Sequence, residues 1–244
     1  MKQLIEDTSP NSTPKDVLLA LTQKNKGVFI GEVHLDSAKE PETFKASDLV
    51  KDNLSEASKN GLKILFLEHF YTKDQHALDD YIQTGNRNTI YQLHLDNLKQ
   101  ATPHIDWDTL SANPASQTLF KRQIDRILDI VDHAQKNGVK VMALDNFDFA
   151  NAVADRGDVN PHWAQYIKDT TQDTPNSHYW ILAGAAHSGG ENGVDNLLQI
   201  PSMDIDSHQA IKGYNQVKPS SEIGPSIRPE DRADYVFKLG PPRP

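Results

Sequence analysis

The sequence contains no cysteine, so neither disulfide bonds nor thiol chemistry can contribute to its stability or activity. It also lacks an apolar stretch of roughly 18 residues, the length that a helix needs to span a bilayer. The opening residues, MKQLIEDTSPNSTPKD, have no apolar core, so we do not expect export through a Sec-type signal peptide. The absence of cysteine suits a protein that crosses a secretion apparatus unfolded.

Basic residues are outnumbered by acidic ones, and two common catalytic motifs are missing. The net charge of −9 argues against nucleic acid or an anionic membrane surface as the main partner. There is no Gly-x-Ser-x-Gly motif, so a covalent serine nucleophile is not expected, and activated water is the natural nucleophile. There is also no helical His-Glu-x-x-His motif, so any metal site would have to be assembled from strand ends.

What is present is an alternation of strand-like runs and helical patterns. The alternation predicts an α/β fold with a central, mostly parallel β-sheet flanked by helices. The segment 73–113 is longer than one crossover needs, and we expect a helical insertion there, either a lid or a cap on the core. The predicted strands are 27–32, 63–70, 140–145 and 179–183, with weaker signals at 202–205 and 234–239.

These elements predict a single α/β domain over residues 1–240. Residues 1–12 are expected to form a flexible secretion leader and residues 241–244 a disordered tail. A capping box at Thr13 and Asp16 predicts the first helix, and the longest helix is predicted over 116–137.

Each of the four strong strands ends on an ionisable side chain. Because the carboxyl ends of parallel strands line one crevice, these side chains are expected to converge there. For any one of them a helix cap or a surface histidine is the plainer interpretation, but four successive strands argue for a shared polar site. The residues are Glu32 and His34 after the first strand, Glu68 after the second, Asp145 after the third and His187 after the fourth.

Two of these strand ends share the pattern Gly-x-x-His, as GEVH at 31–34 and GAAH at 184–187. The glycine lets the backbone approach a ligand or a neighbouring strand closely, and the histidine follows just past the strand. One copy is weak evidence because chance supplies it often. Two copies at the ends of buried strands, with an acid ending the strand between them, make a moderately specific pattern.

With these motifs the chain resembles the superfamily of TIKI/TraB proteins, erythromycin esterases (EreA) and ChaN-like proteins. The resemblance is carried by GEVHLD, LEHF and LAGAAHSGGENGV, and Arg156 and Asn160 match an Arg and an Asn that often follow the third strand in these proteins. By its size and single compact unit the chain is also similar to HopBA-type effectors of plant-pathogenic pseudomonads, which are injected through type III secretion.

The resemblance implies three different chemistries. TIKI-type members are metal-dependent proteases, erythromycin esterases are metal-independent hydrolases, and ChaN-like members bind haem. For hydrolysis, His34 or His187 would be the base that activates water, with Glu32 and Glu68 as orienting acids. Asp145 would support them, and Arg156 would stabilise developing negative charge or anchor an anionic group of the substrate.

The cofactor stays open at this point. Glu32, His34, Glu68 and His187 could equally hold a divalent metal ion with an open position. Haem would need an axial ligand and a broad apolar pocket, and Tyr71 near the end of the second strand could serve as that ligand.

The resemblance therefore implies a virulence effector secreted by a type III system into the cytoplasm of a plant host cell. It would act as a hydrolase, of the esterase or metal-dependent protease type, on a small-molecule or peptide substrate and trigger an immune or cell-death response. A host immune receptor is an expected partner. The alternative is a non-enzymatic module that binds haem or a host protein.

Overall fold

The computed structural model describes residues 3, 13–32, 46–101, 106, 109, 112–146, 159–174, 176–206, 217–219 and 233–238. The predicted leader, apart from Gln3, lies outside these residues, and so do His34, Arg156 and the predicted tail.

The chain forms an α/β fold, as the alternation of its patterns predicts. The strands are β1 Gly27–Glu32, β2 Leu62–Tyr71, β3 Lys140–Asp145, β4 His178–Gly184, β5 Ser202–Asp206, β6 Val217–Pro219 and β7 Tyr235–Lys238. The helices are α1 Pro14–Lys24, α2 Ala46–Lys59, α3 Gln75–Thr84, α4 Arg87–Ala101, α5 Pro114–Lys136, α6 Val159–Thr171 and α7 Val194–Leu198. No helix in these ranges is both long enough and apolar enough to cross a membrane.

The predicted capping box starts helix α1. The Thr13 hydroxyl accepts a hydrogen bond from the backbone N–H of Asp16 at 3.2 Å, and the Asp16 carboxylate accepts one from the N–H of Thr13 at 3.0 Å. Pro14 occupies the first turn, where a missing N–H costs nothing. The sequence thus determines this helix start locally.

The described strands form one sheet in the order β3-β2-β4-β1-β5-β7-β6. All neighbours pair in parallel except β6, which runs antiparallel to β7 at one edge. The three-residue strand β6 was not predicted, because it falls in a segment rich in Pro, Gly and Ser whose composition is typical of a loop.

Helices cover both faces of the sheet. On one face, helices α1 to α5 pack against alternate strand residues such as Ile30, Leu65 and Leu182. On the other face, helices α6 and α7 pack against the intervening residues, among them Phe66 and Ile181. Strands β1 to β4 are therefore buried on both sides, which explains their nearly continuous apolar runs.

The connections diverge at the boundary between β2 and β4. From β2 the chain moves outward to β3 through helices on the first face, whereas from β4 it moves past β1 to β5 through α7 on the second face. In open α/β sheets, ligands bind outside the carboxyl ends of the strands at such a switch point. The topology therefore points to the ends of β2 and β4.

The predicted helical insertion after β2 is confirmed by helices α3 and α4. The side chain of Gln75 pairs with the edge strand β3, since its Oε1 accepts from Ala143 N at 2.7 Å and its Nε2 donates to the Val141 carbonyl at 3.3 Å. These bonds satisfy backbone groups that an edge strand otherwise leaves open to a second chain.

Arg87, the first residue of α4, fastens the insertion to helix α5. Its guanidinium donates to Asp125 at 2.6 Å and to Asp129 and Asp132 at 2.8 Å each. Tyr81 also donates to Asp132, at 2.7 Å. Without Arg87, three carboxylates on one face of α5 would repel one another.

We expect Arg87→Ala to lower the free energy of unfolding by about 1–2 kcal/mol. The value is modest because Arg87 and its three carboxylate partners are partly exposed, so solvent screens their attraction. Thermal and urea melts measure this loss. Arg122→Ala on the exposed side of α5 is the matched control and should leave stability within about 0.5 kcal/mol of wild type. Equal melting temperatures for both variants would contradict the role of Arg87 in holding the insertion to helix α5.

Candidate functional site at the strand ends

Glu68 joins β2 to β4 beyond the last residues that the two strands pair. Their ladder ends at Leu67 and Leu182. One oxygen of the Glu68 carboxylate, Oε2, then accepts a hydrogen bond from the backbone N–H of Gly184 at 2.5 Å. A carboxylate that is 6% exposed thus replaces a ladder bond and fixes the turn that follows Gly184.

That turn, Ala185–His187, brings His187 back to Glu68. The imidazole Nε2 lies 3.4 Å from the second carboxylate oxygen, Oε1, and both side chains are buried. The structure therefore brings together two of the predicted site residues, Glu68 and His187, from different strand ends.

Helix α6 fixes the orientation of the His187 ring. Asn160 donates through its Nδ2 to the carbonyl of Asn192 at 3.0 Å, so its Oδ1 faces His187 Nδ1 at 2.7 Å. Because an amide oxygen only accepts, Nδ1 of His187 carries the proton. Trp163 packs against the other side of the imidazole, with ring centroids 4.4 Å apart.

This arrangement leaves Nε2 of His187 and Oε1 of Glu68 facing one another as two acceptors. When Nε2 accepts a proton from a reacting group, the positive charge that forms on the imidazole is stabilised by the buried carboxylate. The couple is therefore suited to taking a proton from a water molecule or a hydroxyl group.

A second histidine–glutamate couple lies at the same edge. Nε2 of His69 lies 2.6 Å from Oε1 of Glu32, although β4 separates the strands that carry them. Gly184 occupies the β4 position beside Glu32 and has no side chain to obstruct the contact. Sequence reasoning placed Glu32 in the site but left out His69, whose only signal was its position directly after Glu68.

The two couples point to opposite faces of the sheet. Glu32 continues the alternation of Val28 and Ile30, which pack beneath helices α1 to α5. Glu68 continues that of Ile64 and Phe66, which pack beneath α6. Glu68 and its neighbour His69 therefore have partners on different faces, at a point where the register of β2 with β3 shifts between Leu67 and Tyr71.

Gly31 is required by a third contact at this edge. The Asp204 carboxylate of β5 reaches across β1, and Ser188 donates to it at 3.2 Å. A Cβ atom at position 31 would lie 2.0 Å from Asp204 Oδ1 and 3.1 Å from the Ala185 Cα. The glycine of the first Gly-x-x-His motif thus makes room for an acid that sequence reasoning missed.

Of the three remaining predicted site residues, only Asp145 is among the described residues. Asp145 ends the edge strand β3, beside Tyr71 of β2, and its carboxylate accepts from the neighbouring N–H of Asn146 at 2.8 Å. His34 and Arg156 lie outside the described residues.

The described residues contain no group of three or more His, Cys, Asp or Glu side chains arranged to hold a metal ion. In each couple the nitrogen and oxygen face each other instead of diverging around a common ion. Neither couple therefore fits a metal site within the described residues.

Helix α4 of the insertion adds a further imidazole near the second couple. The ring of His94 lies 5.3 Å from that of Phe70, the residue after His69. Burial, and next the positive charge of His69, lower the pKa of His94 to about 4, so the ring is neutral at pH 7.

Comparisons with known proteins support the fold. No family model matches the chain, and no curated protein does. The structure of the type III effector HopBA1 superposes with a TM-score of 0.65 at 13% identity, over 98% of this chain and 99% of that one. The resemblance to HopBA-type effectors is thereby confirmed at the level of the fold.

Two other solved structures share parts of this architecture. RRSP, a MARTX toxin effector domain from Vibrio vulnificus CMCP6, has a TM-score of 0.50 at 18% identity, over 82% of this chain and 36% of that one. ChaN of Campylobacter jejuni, described with cofacial heme binding, has a TM-score of 0.43 at 14% identity, over 90% and 89% of the two chains. That TM-score is too low to carry an argument.

Gly31→Ala is expected to destabilise the protein by about 1–3 kcal/mol, because the new methyl group displaces the Asp204 carboxylate and presses on Ala185. Urea unfolding measures the cost. In an Asp204→Ala background the same substitution should cost less, since the clashing carboxylate is gone. Identical costs in both backgrounds would contradict the proposed reason for Gly31.

The lowered pKa of His94 predicts a pH dependence of stability. In the unfolded chain His94 binds a proton below its ordinary pKa of 6.5, whereas in the folded protein it does so only below about pH 4. Stability from this group is therefore complete above pH 6.5 and falls by up to roughly 3 kcal/mol as the pH drops to 4. Urea melts at several pH values should show a shallower loss for His94→Gln than for wild type. Parallel curves would count against this.

Proposed function

We propose that this chain is a bacterial effector that hydrolyses its substrate with water activated by His187 and Glu68. The observation that carries the proposal is the buried couple of these two side chains at the β2–β4 switch point. Gly184, Asn160 and Trp163 hold it in one geometry.

In this mechanism Nε2 of His187 accepts a proton from the attacking water. The Nδ1–H bond to Asn160 fixes the tautomer that leaves Nε2 available. The Glu68 carboxylate, 3.4 Å from Nε2, stabilises the imidazolium that forms. The imidazolium can then return the proton to the leaving group.

Other predicted residues keep supporting roles in the proposal. His34 is the alternative base. Glu32 orients His69 at the same edge of the sheet. Asp145 supports the site, and Arg156 stabilises negative charge that develops on the substrate. A metal ion would need His34 in addition to Glu32, Glu68 and His187, and elemental analysis of the purified protein tests this.

For the biological role we infer delivery by a type III system into the cytoplasm of a plant host cell. The support is the fold shared with the type III effector HopBA1 over nearly the whole of both chains. There the chain would hydrolyse a small-molecule or peptide substrate, and a host immune receptor would respond with cell death.

Glu68→Gln tests the chemistry with little change in shape. The amide oxygen can still accept from Gly184, so we expect a melting temperature close to that of wild type. The charge that stabilises the imidazolium is lost, and activity in a leaf cell-death or hydrolysis assay should fall at least about 100-fold. Glu56→Gln on the exposed face of α2 is the matched control and should stay active.

A well-folded Glu68→Gln protein with wild-type activity would end the hydrolase proposal. A module that acts only by binding a host protein predicts that outcome, because its partner would contact the outer surface. Absorbance near the Soret band after haem addition separately tests the haem-binding alternative.

A further inference from the structure

The side of the insertion helix α4 that faces the protein interior changes from apolar to polar along the helix. Ile90, His94 and Asn97 are spaced four and three residues apart, which places them on one side of the helix. Ile90 is fully buried, and Asn97 donates to Asp74 at 2.8 Å beside the end of β2. A helix that only caps an apolar core has no need for polar residues at two of these three positions.

The neighbours of His94 belong to the candidate site. Its ring packs against Phe70, and the charge of the adjacent His69 acts on it. His69 is itself paired with Glu32 at 2.6 Å, on the sheet face that the insertion covers. His94 therefore extends the second couple toward the insertion.

The hydrogen-bonding capacity of His94 is not used within the described part of the chain. Asn97, one turn away, is satisfied by Asp74, whereas the described residues supply no hydrogen bond to either ring nitrogen of His94. A neutral imidazole offers one donor and one acceptor. Such a ring on the inward side of a helix, only partly buried, is available to a ligand.

We propose that His94 contacts the substrate and binds an uncharged hydroxyl or carboxamide group of it. The insertion thereby forms one wall of the site. The proposal rests on the proposed hydrolase function, because it concerns the substrate of that same site. The neighbouring His69 is already paired with Glu32, and the neutral ring of His94 offers hydrogen bonds without a charge of its own. The insertion would thereby select substrates that carry a polar, uncharged group beside the bond that is cleaved.

Two substitutions of His94 separate hydrogen bonding from shape. His94→Phe keeps the ring and its contact with Phe70 but removes both hydrogen-bonding atoms, and we expect at least a tenfold loss of activity at an unchanged or higher melting temperature. His94→Gln keeps a donor and an acceptor and should retain activity within about threefold of wild type. His76→Phe, an exposed histidine on the neighbouring helix α3, is the control and should be fully active.

A second measurement does not depend on the hydrolase proposal. Diethyl pyrocarbonate should modify His94 in the folded protein, as read by mass spectrometry, because a substrate-contacting imidazole must be reachable from the crevice. Full activity of His94→Phe, or modification of His94 only after unfolding, would overturn the assignment.

The two proposals can fail separately. If Glu68→Gln is inactive while His94→Phe is fully active, the hydrolase proposal stands and the role of His94 is wrong. If Glu68→Gln is fully active while His94 is reachable and His94→Phe is inactive, hydrolysis is wrong and His94 remains a ligand-binding residue.

Discussion

The hydrogen bond from the Gly184 backbone to the Glu68 carboxylate is the contact on which the rest of the site depends. It extends the β2–β4 pairing past the end of the ladder and sets the turn that returns His187 to the other oxygen of the same carboxylate. A buried carboxylate is costly unless its oxygens are satisfied, and here one accepts a backbone N–H while the other faces an imidazole. Fold and candidate chemistry thus use the same side chain.

The switch point of the sheet explains why the cluster forms there. The connections that leave β2 and β4 run in opposite directions along the sheet and on opposite faces of it. Beyond Leu67, where the register of β2 with β3 shifts, Glu68 lies beside His187 and His69 lies beside Glu32. Two acid–base couples result from two consecutive residues of one strand.

The close match in fold with the HopBA1 structure at 13% identity has a physical explanation. Strands buried on both faces need only apolar residues of suitable size, and many sequences satisfy that requirement. One fold can host many functions, because a few side chains of a site decide the chemistry, so the similarity to HopBA1 concerns the fold alone.

The sequence by itself determined the elements whose signals are local. The capping box of Thr13 and Asp16, the double-sided burial of β1 to β4 and the long helix α5 all follow from residues near one another in the chain. The convergence of Glu68 and His187 also followed, because parallel strands bring their carboxyl ends to one edge. The short strand β6 did not follow, since three residues carry too little pattern.

Only the tertiary structure decided which partner each site residue has. Glu32 pairs with His69 across an intervening strand, Asp204 reaches over Gly31, and His94 arrives from an insertion that sequence patterns identify only as helical. These contacts join residues that are far apart in the chain. Strand order and side-chain direction bring them together. Periodicity reports which face of its own element a residue occupies, whereas strand order and helix packing decide what lies opposite that face.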